Sequence, residues 1–184
     1  MIAPVTLPVP APAAAAAAAL RAAVPVLVTP RCRLRAPELS DFDALHSVTA
    51  ADRGGFMGGA STERESWSDF CAMVALWLLR GHGMWSVDHG GALAGFVLIG
   101  LEPGDAEHEL GFLFRPAFEG RGLAHEAAAA ARDWAWDALR LSSLVSSIAT
   151  GNVRSERLAA RLGATPDGTG HDGRLTIWRH RRPL

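Results

Sequence analysis

The chain has 184 residues, with 18 basic against 19 acidic side chains and a formal net charge of −1. That balance supplies no field for nucleic acid or an anionic membrane, so neither is expected as a partner. A hydrophobic content of 49% with six Trp can bury one sizeable core. Every basic residue is Arg, which excludes a lysine Schiff base and a Walker lysine, and the absence of Tyr excludes a tyrosine acid.

Cys32 and Cys71 fall in no metal-ligand or redox spacing. No metal is therefore expected, and a reducing, cytoplasmic setting is the default. Residues 1–29 differ from everything after them: Pro4, Pro8, Pro10 and Pro12 lead into seven alanines, Ala13 to Ala19. No basic residue precedes the apolar part as a secretory signal requires, and no segment is long and apolar enough to span a bilayer. We read 1–29 as a low-complexity Pro/Ala-rich leader, with room for a short alanine helix and no chemistry, and 30–184 as the globular domain.

Arg31 to Arg35 alternates as a short strand. Pro37 to Asp41 opens a helix, with Ser40 as N-cap and Phe42, Leu45 and Val48 as its apolar stripe. Four glycines among Arg53 to Gly59 make a loop, and Phe56 and Met57 on it can line a substrate pocket. Thr62 to Glu65 reads as a capping box that starts a second helix, with Trp67, Phe70, Val74 and Leu78 on one face and an end near Gly81. A hairpin follows: Met84 to Val87, a turn at Asp88 to Gly91, and an apolar strand from Ala92 to Ile99.

The stretch His108 to Ala128 is the most informative. Leu110, Phe112 and Phe114 alternate along a strand that Pro116 stops. From Gly122 the pattern turns helical, with Ala124, Ala127, Ala128, Ala131, Trp134, Ala135, Ala138 and Leu139 at spacings of three and four. Between them Gly120 and Gly122 let the backbone approach a ligand, and the free N–H groups of a helix start suit a pyrophosphate. A plain tight turn explains the two glycines equally well. Leu144 to Ala149 is the next strand, and strand–helix–strand spacing of this length favours a parallel, right-handed crossover. Asn152 to Ser155 begins a helix with Leu158, Ala159 and Leu162 inward and Gly163 at its end. A Gly-rich turn, Asp167 to Gly173, leads to a last strand from Arg174 to Arg179. The fold class is α/β, a mixed sheet flanked by helices.

The order of these parts resembles the GNAT superfamily of acyl-CoA-dependent N-acetyltransferases. The residues that carry it are Glu109-Leu110-Gly111-Phe112, the loop Gly120-Arg121-Gly122-Leu123-Ala124 with Glu126-Ala127, and Asn152-Val153-Arg154-Ser155 with Leu158 and Leu162-Gly163-Ala164. Within it the chain is most similar to the branch of ribosomal-protein N-terminal alanine and serine acetyltransferases, over roughly residues 30 to 184.

The resemblance implies acetyl-CoA as co-substrate and a loop of pattern Gln/Arg-x-x-Gly-x-Gly/Ala at Glu119 to Ala124, where Glu119 departs from the pattern and is expected to face solvent. Backbone N–H groups from Gly120 to His125 would hold pyrophosphate, with Arg121, Arg154 or Arg157 offsetting remaining charge. Main-chain groups along Phe112, Leu113 and Phe114 would pair with the pantetheine arm as an added strand, which requires the sheet to open there. Asn152 would bond the arm and Ser155 would stand near the thiol; both are also good helix caps.

Amide formation needs a base to deprotonate the amine. Glu107 and Glu109 are the candidates, Glu109 first, with strand-end charge as the alternative role. His108 falls on the other face; His125 reads first as a first-turn surface histidine, with phosphate contact as the alternative. Ser155 or water takes the acid role, and a strand N–H near Leu110 or Gly111 the oxyanion. With no cysteine near the loop, transfer is direct in a ternary complex, to a primary amine of a small molecule or a protein N-terminus. The alternatives are a non-catalytic acyl-CoA-binding module and, against the incomplete G-x-G-x-x-G pattern, an unrelated nucleotide-binding domain. Trp67 and Trp178 are candidates for a homodimer contact as much as for the core.

Overall fold

The computed structural model describes residues 7–51, 56, 58–170 and 173–183. Alanine-rich sequence gives the first helix, α1 (Ala11–Ala22), which starts behind Pro10 and buries none of its residues. The chain joins the core soon afterwards. Val24 is buried, and the Trp85 indole donates to the Pro25 carbonyl at 2.8 Å. Strand β1 (Leu27–Val28) lies upstream of Pro30 and pairs antiparallel with β2 (Arg33–Arg35).

A 3-10 turn, Leu39–Asp41, precedes α2 (Phe42–Thr49). Ser40 is not the cap. Glu38 and Asp41 form a reciprocal capping box one step earlier, because Asp41 is already fixed by Arg35 and accepts the Glu38 N–H at 2.8 Å. The apolar stripe is as read: Phe42, Leu45 and Val48 are buried.

Helix α3 (Glu63–Arg80) carries the Thr62–Glu65 capping box and ends at Gly81 in the left-handed region, φ +73°. Its last turn departs from the sequence reading, since Leu78 is 75% exposed. Trp77 turns inward in its place, donating to the Met84 carbonyl at 2.8 Å and packing edge-on against Trp85. Trp67 and Phe70 pack on Phe42, so Trp67 belongs to the core.

Strands β3 (Met84–His89) and β4 (Ala92–Gly100) form the hairpin around Gly90 and Gly91, both at positive φ as a two-residue turn requires. Then come β5 (Glu109–Phe114), α4 (Leu123–Ala138), β6 (Ser143–Ala149), α5 (Val153–Arg161), β7 (Thr165–Gly170) and β8 (Leu175–Arg181). In α4 Ala138 is exposed and Trp136 buried, so the inward face runs closer to Ala127, Ala128, Ala131 and Ala135 than the spacing suggests. Most of the expected Asp167 to Gly173 turn is strand. Asp167 to Gly170 continue β7, an edge strand where Pro166 and the glycines are tolerated beside a register shift. Trp178 packs against Ile148, Ala159 and Ala164, which places it too in the core.

The eight strands run in the order β1-β2-β3-β4-β5-β6-β8-β7. The sheet is antiparallel except where β5 meets β6, the parallel crossover expected around α4. One face packs on α4 through Trp85, Val87, Ile99, Leu110 and the helix alanines; the other packs on α2 and α3 through Phe42, Leu45, Phe70, Met84 and Phe96.

Candidate active site

Strand β5 is fully paired on one side only. With β4 it runs from Gly95↔Phe114 to Gly100↔Glu109, whereas with β6 it shares the single pair Glu109↔Val145. The sheet therefore opens beside β5, as a pantetheine arm would require. Arg115 N–H bonds the Ala94 carbonyl at 2.9 Å, so by antiparallel alternation Leu113, Gly111 and Glu109 direct their main chain to β4. His108, Leu110, Phe112 and Phe114 direct theirs to the open side. A parallel pair at Glu109↔Val145, with Val145 N–H on the His108 carbonyl at 3.0 Å, engages the main chain on both sides of Glu109. Phe112 and Phe114 lie beyond it.

Side chains build the apex of this wedge. The Glu109 carboxylate accepts the Ser147 N–H at 3.0 Å, and the buried Ser146 hydroxyl donates to the Leu110 carbonyl at 2.7 Å. Ser146 in turn accepts from His180 Nε2 at 3.0 Å. His180 is buried and its pKa falls to about 4, through desolvation and then Arg132. Burial pushes the Glu109 carboxyl above the usual range, with the Asp105 and Glu102 charges adding to it against the Ser147 N–H. Glu107 is occupied elsewhere: it pairs with Arg179 and accepts from Ser143, contacts that hold it below the usual range. His108 stacks edge-on against His82, ring centroids 4.9 Å apart, and burial lowers its pKa.

A cavity of about 550 Å³ begins along Phe112, Leu113 and Phe114 and continues to Glu119, Gly120 and Gly122. Its far walls are the first turn of α4, Leu123 to His125, and one face of α5 bearing Asn152, Arg154, Ser155, Arg157 and Arg161; Val48 and Phe56 close the side toward α2. Phe56 thus lines the pocket, while residues 52–55 and Met57 of its loop lie outside the described residues. Glu109 stands at the wedge apex and is not among the cavity-lining residues.

Gly120 and Gly122 both have positive φ, +70° and +77°. Gly122 offers no side-chain cap to α4, and the first main-chain bond of the helix is Glu126 N–H to the Gly122 carbonyl. The N–H groups of Leu123, Ala124 and His125 precede that bond and face the first turn unspent within the helix.

Glu119 departs from the solvent-facing expectation. It lines the cavity and pairs with Arg154 across to α5, because a half-buried carboxylate beside that helix finds its nearest cation there. Arg121 departs as well: it does not line the cavity, lies over the Phe118 ring and donates to His89 Nε2 at 3.1 Å. His125 lines the cavity and donates to the Arg161 carbonyl at 3.2 Å. Asn152 caps α5 by accepting the Ser155 N–H at 3.3 Å, and both residues also line the cavity.

Sequence reasoning missed Ser146, Ser147, His180 and Arg161. For Ser146 a signal existed, a hydroxyl in register with the buried Leu144 and Ile148 of β6.

A mixed sheet opened beside its central strand, with an uncapped helix start at the end of the opening, defines an acyl-CoA-dependent transferase. The chain belongs to the GNAT acetyltransferases: the model of the acetyltransferase (GNAT) domain matches residues 31–165. It is similar to an acetyltransferase from Agrobacterium tumefaciens str. C58, with 36% identity, a TM-score of 0.82, and 86% of this chain and 95% of that one covered. It shares its fold with the Salmonella typhimurium acetyltransferase that modifies the N-terminal serine of 50S ribosomal protein L7/L12 (18% identity, TM-score 0.70, 87% and 99% covered). The same holds for RimL, the ribosomal L7/L12 α-N-protein acetyltransferase solved in complex with coenzyme A (17%, 0.69, 85% and 98%). No helix among the described residues is long and apolar enough to cross a membrane.

Proposed function

We propose that the chain transfers acetyl from acetyl-CoA to a primary amine, of a small molecule or a protein N-terminus, by direct attack in a ternary complex. The observation that carries this reading is the continuity of the open edge of β5 with the α4 start, through one cavity. An extended arm pairs with the outward main chain of Phe112 and Phe114, and the pyrophosphate reaches Gly120 to Ala124. Arg154, Arg157 and Arg161 supply positive charge at that end, which His125 also lines.

Glu109 is the general base, directly or through water. Its burial raises its proton affinity, and the neighbouring carboxylates favour an approaching ammonium group. Gly111 N–H faces β4 and the Leu110 main chain is engaged with β6, so the oxyanion role passes to Phe112 N–H, the first outward group past the apex. Ser155 or water protonates the departing thiolate, whose low basicity makes this the lesser contribution. Residues 1–29 supply no chemistry in this scheme.

The deciding measurement is CoA release from acetyl-CoA across an amine library that includes short peptides with free N-termini. Turnover with one amine class, lost in Glu109→Gln while CoA binding persists, supports the enzyme. Wild-type protein that binds acetyl-CoA and releases no CoA with any amine would instead be the non-catalytic module.

A further inference from the structure

Arg31 lies in the turn between β1 and β2, distant in sequence from the glycine loop, and its side chain reaches that loop from behind. Nη1 donates to the Arg121 carbonyl at 2.8 Å. Nε donates to Glu126 Oε2 at 2.6 Å, and the main-chain N–H of Arg31 donates to Glu126 Oε1 at 2.7 Å. The Thr29 hydroxyl also donates to Oε1, at 2.6 Å, while accepting the Cys32 N–H, and His89 Nδ1 donates to the Arg31 carbonyl at 2.8 Å. Glu126, in the first turn of α4, is thus the hub of a network that fixes one arginine against one carbonyl.

That carbonyl matters because of the peptide it belongs to. In a planar trans peptide the C=O and the N–H point in opposite directions. The Arg121 carbonyl points to Arg31, which does not line the cavity, while Gly122, whose N–H completes that peptide, does. Gly122 tolerates φ of either sign, so the chain itself does little to prevent the Arg121–Gly122 peptide from turning over and placing a carbonyl oxygen where phosphate belongs. Arg31 also occupies the space behind the glycine: a Cβ on Gly122 would meet its Nη2 at 3.3 Å.

We infer that Arg31, held by Glu126 and Thr29, is a positioning residue for the phosphate loop: it keeps the Arg121 carbonyl outward and the Gly122 N–H turned to the ligand. This rests on the reading of the loop as the pyrophosphate site. The segment just after the Pro/Ala-rich leader is then part of the cofactor apparatus without touching the cofactor.

The experiment compares acetyl-CoA with acetyl-pantetheine, which lacks the pyrophosphate, in the full chain and in Arg31→Ala and Arg31→Lys. Arg31→Ala should raise KM for acetyl-CoA about tenfold, the scale of one lost hydrogen bond from a charged donor. KM for acetyl-pantetheine should stay unchanged, and kcat should change little. Arg31→Lys keeps the charge but not the fork that spans Glu126 and Arg121, so it should behave like alanine. Equal losses with both donors, or full rescue by lysine, overturn the inference: the first means general misfolding, the second simple charge attraction. A wild-type chain that shows no preference for acetyl-CoA over acetyl-pantetheine overturns the phosphate reading itself, whatever the variants do.

Discussion

Glu109 Oε1 accepts the backbone N–H of Ser147 at 3.0 Å, across two strands that share only the pair Glu109↔Val145. A side chain takes the place of the next rung of the ladder. The same carboxylate that ends strand pairing is thereby half-buried at the apex of the opening, with its pKa raised.

That placement gives opposite signs for activity and stability. Glu109→Gln should lower kcat about 100-fold, the usual scale for a general base, with CoA affinity retained. A carboxyl whose folded pKa lies above its unfolded value favours the folded state while protonated. That contribution is present below the unfolded pKa and is lost as pH rises through the folded one. The variant should therefore unfold at a higher temperature than wild type at pH 7, and the gap should close toward pH 4. Thermal melts across that range check it, and a variant less stable at pH 7 would contradict the burial argument.

How much of this was readable in advance follows from sequence separation. The Thr62–Glu65 box, the Gly90-Gly91 hairpin and the Gly120/Gly122 loop are each set by residues within a few positions, and each stands as read. The wedge apex is different. Ser146 to Leu110 and Ser147 to Glu109 span 36 and 38 residues, and Arg31 to Arg121 spans 90. No local pattern announces such contacts. Strand β7 was hidden for another reason, since Pro166, Gly168 and Gly170 are turn formers that only an edge position accommodates.

His180 yields a pH dependence of the other sign. Its folded pKa of about 4 lies below the ordinary value of 6.5, so the unfolded chain binds the extra proton first. Stability should fall as pH drops from about 6.5 toward 4, by about 3 kcal/mol at most from this group. The urea midpoint of wild type should fall relative to that of His180→Leu as the pH is lowered through that window. A wild-type curve that stays flat there would mean that His180 takes up its proton in the folded chain as readily as in the unfolded one.

Asp41 anchors the β2–α2 corner. It is 4% exposed and accepts two bonds from Arg35, one from Ser86 and one from the Glu38 N–H. Burial alone would raise its pKa, but those donors together hold it below the usual range. Its stabilisation is present above the unfolded pKa and is lost as pH falls through the folded one. Asp41→Ala leaves Arg35 with Asp88 alone and should cost about 3 kcal/mol of unfolding free energy. Asp88→Ala breaks the more exposed arm of the pair and should cost less; the reverse order would show that Asp88 carries the corner.

Glu119 stands where the family resemblance implies Gln or Arg, and its effect on the proposed cofactor site follows from charge. A carboxylate lining the proposed phosphate end opposes an incoming pyrophosphate, and its pairing with Arg154 also engages a cation that could meet that anion. Both effects vanish in Glu119→Gln, so acetyl-CoA should bind about three- to tenfold more tightly, with kcat unchanged because Glu109 and Phe112 are untouched. The gain should shrink as ionic strength rises from 0.05 to 0.5 M, since the cavity mouth is open to screening. Arg154→Ala tests the pairing from the other side: alone it should weaken binding, and combined with Glu119→Gln its penalty should change, because the arginine then has no carboxylate to neutralise. Titration calorimetry with CoA on the four proteins reads this directly. Weaker binding by Glu119→Gln would show instead that the carboxylate holds the loop in its binding shape.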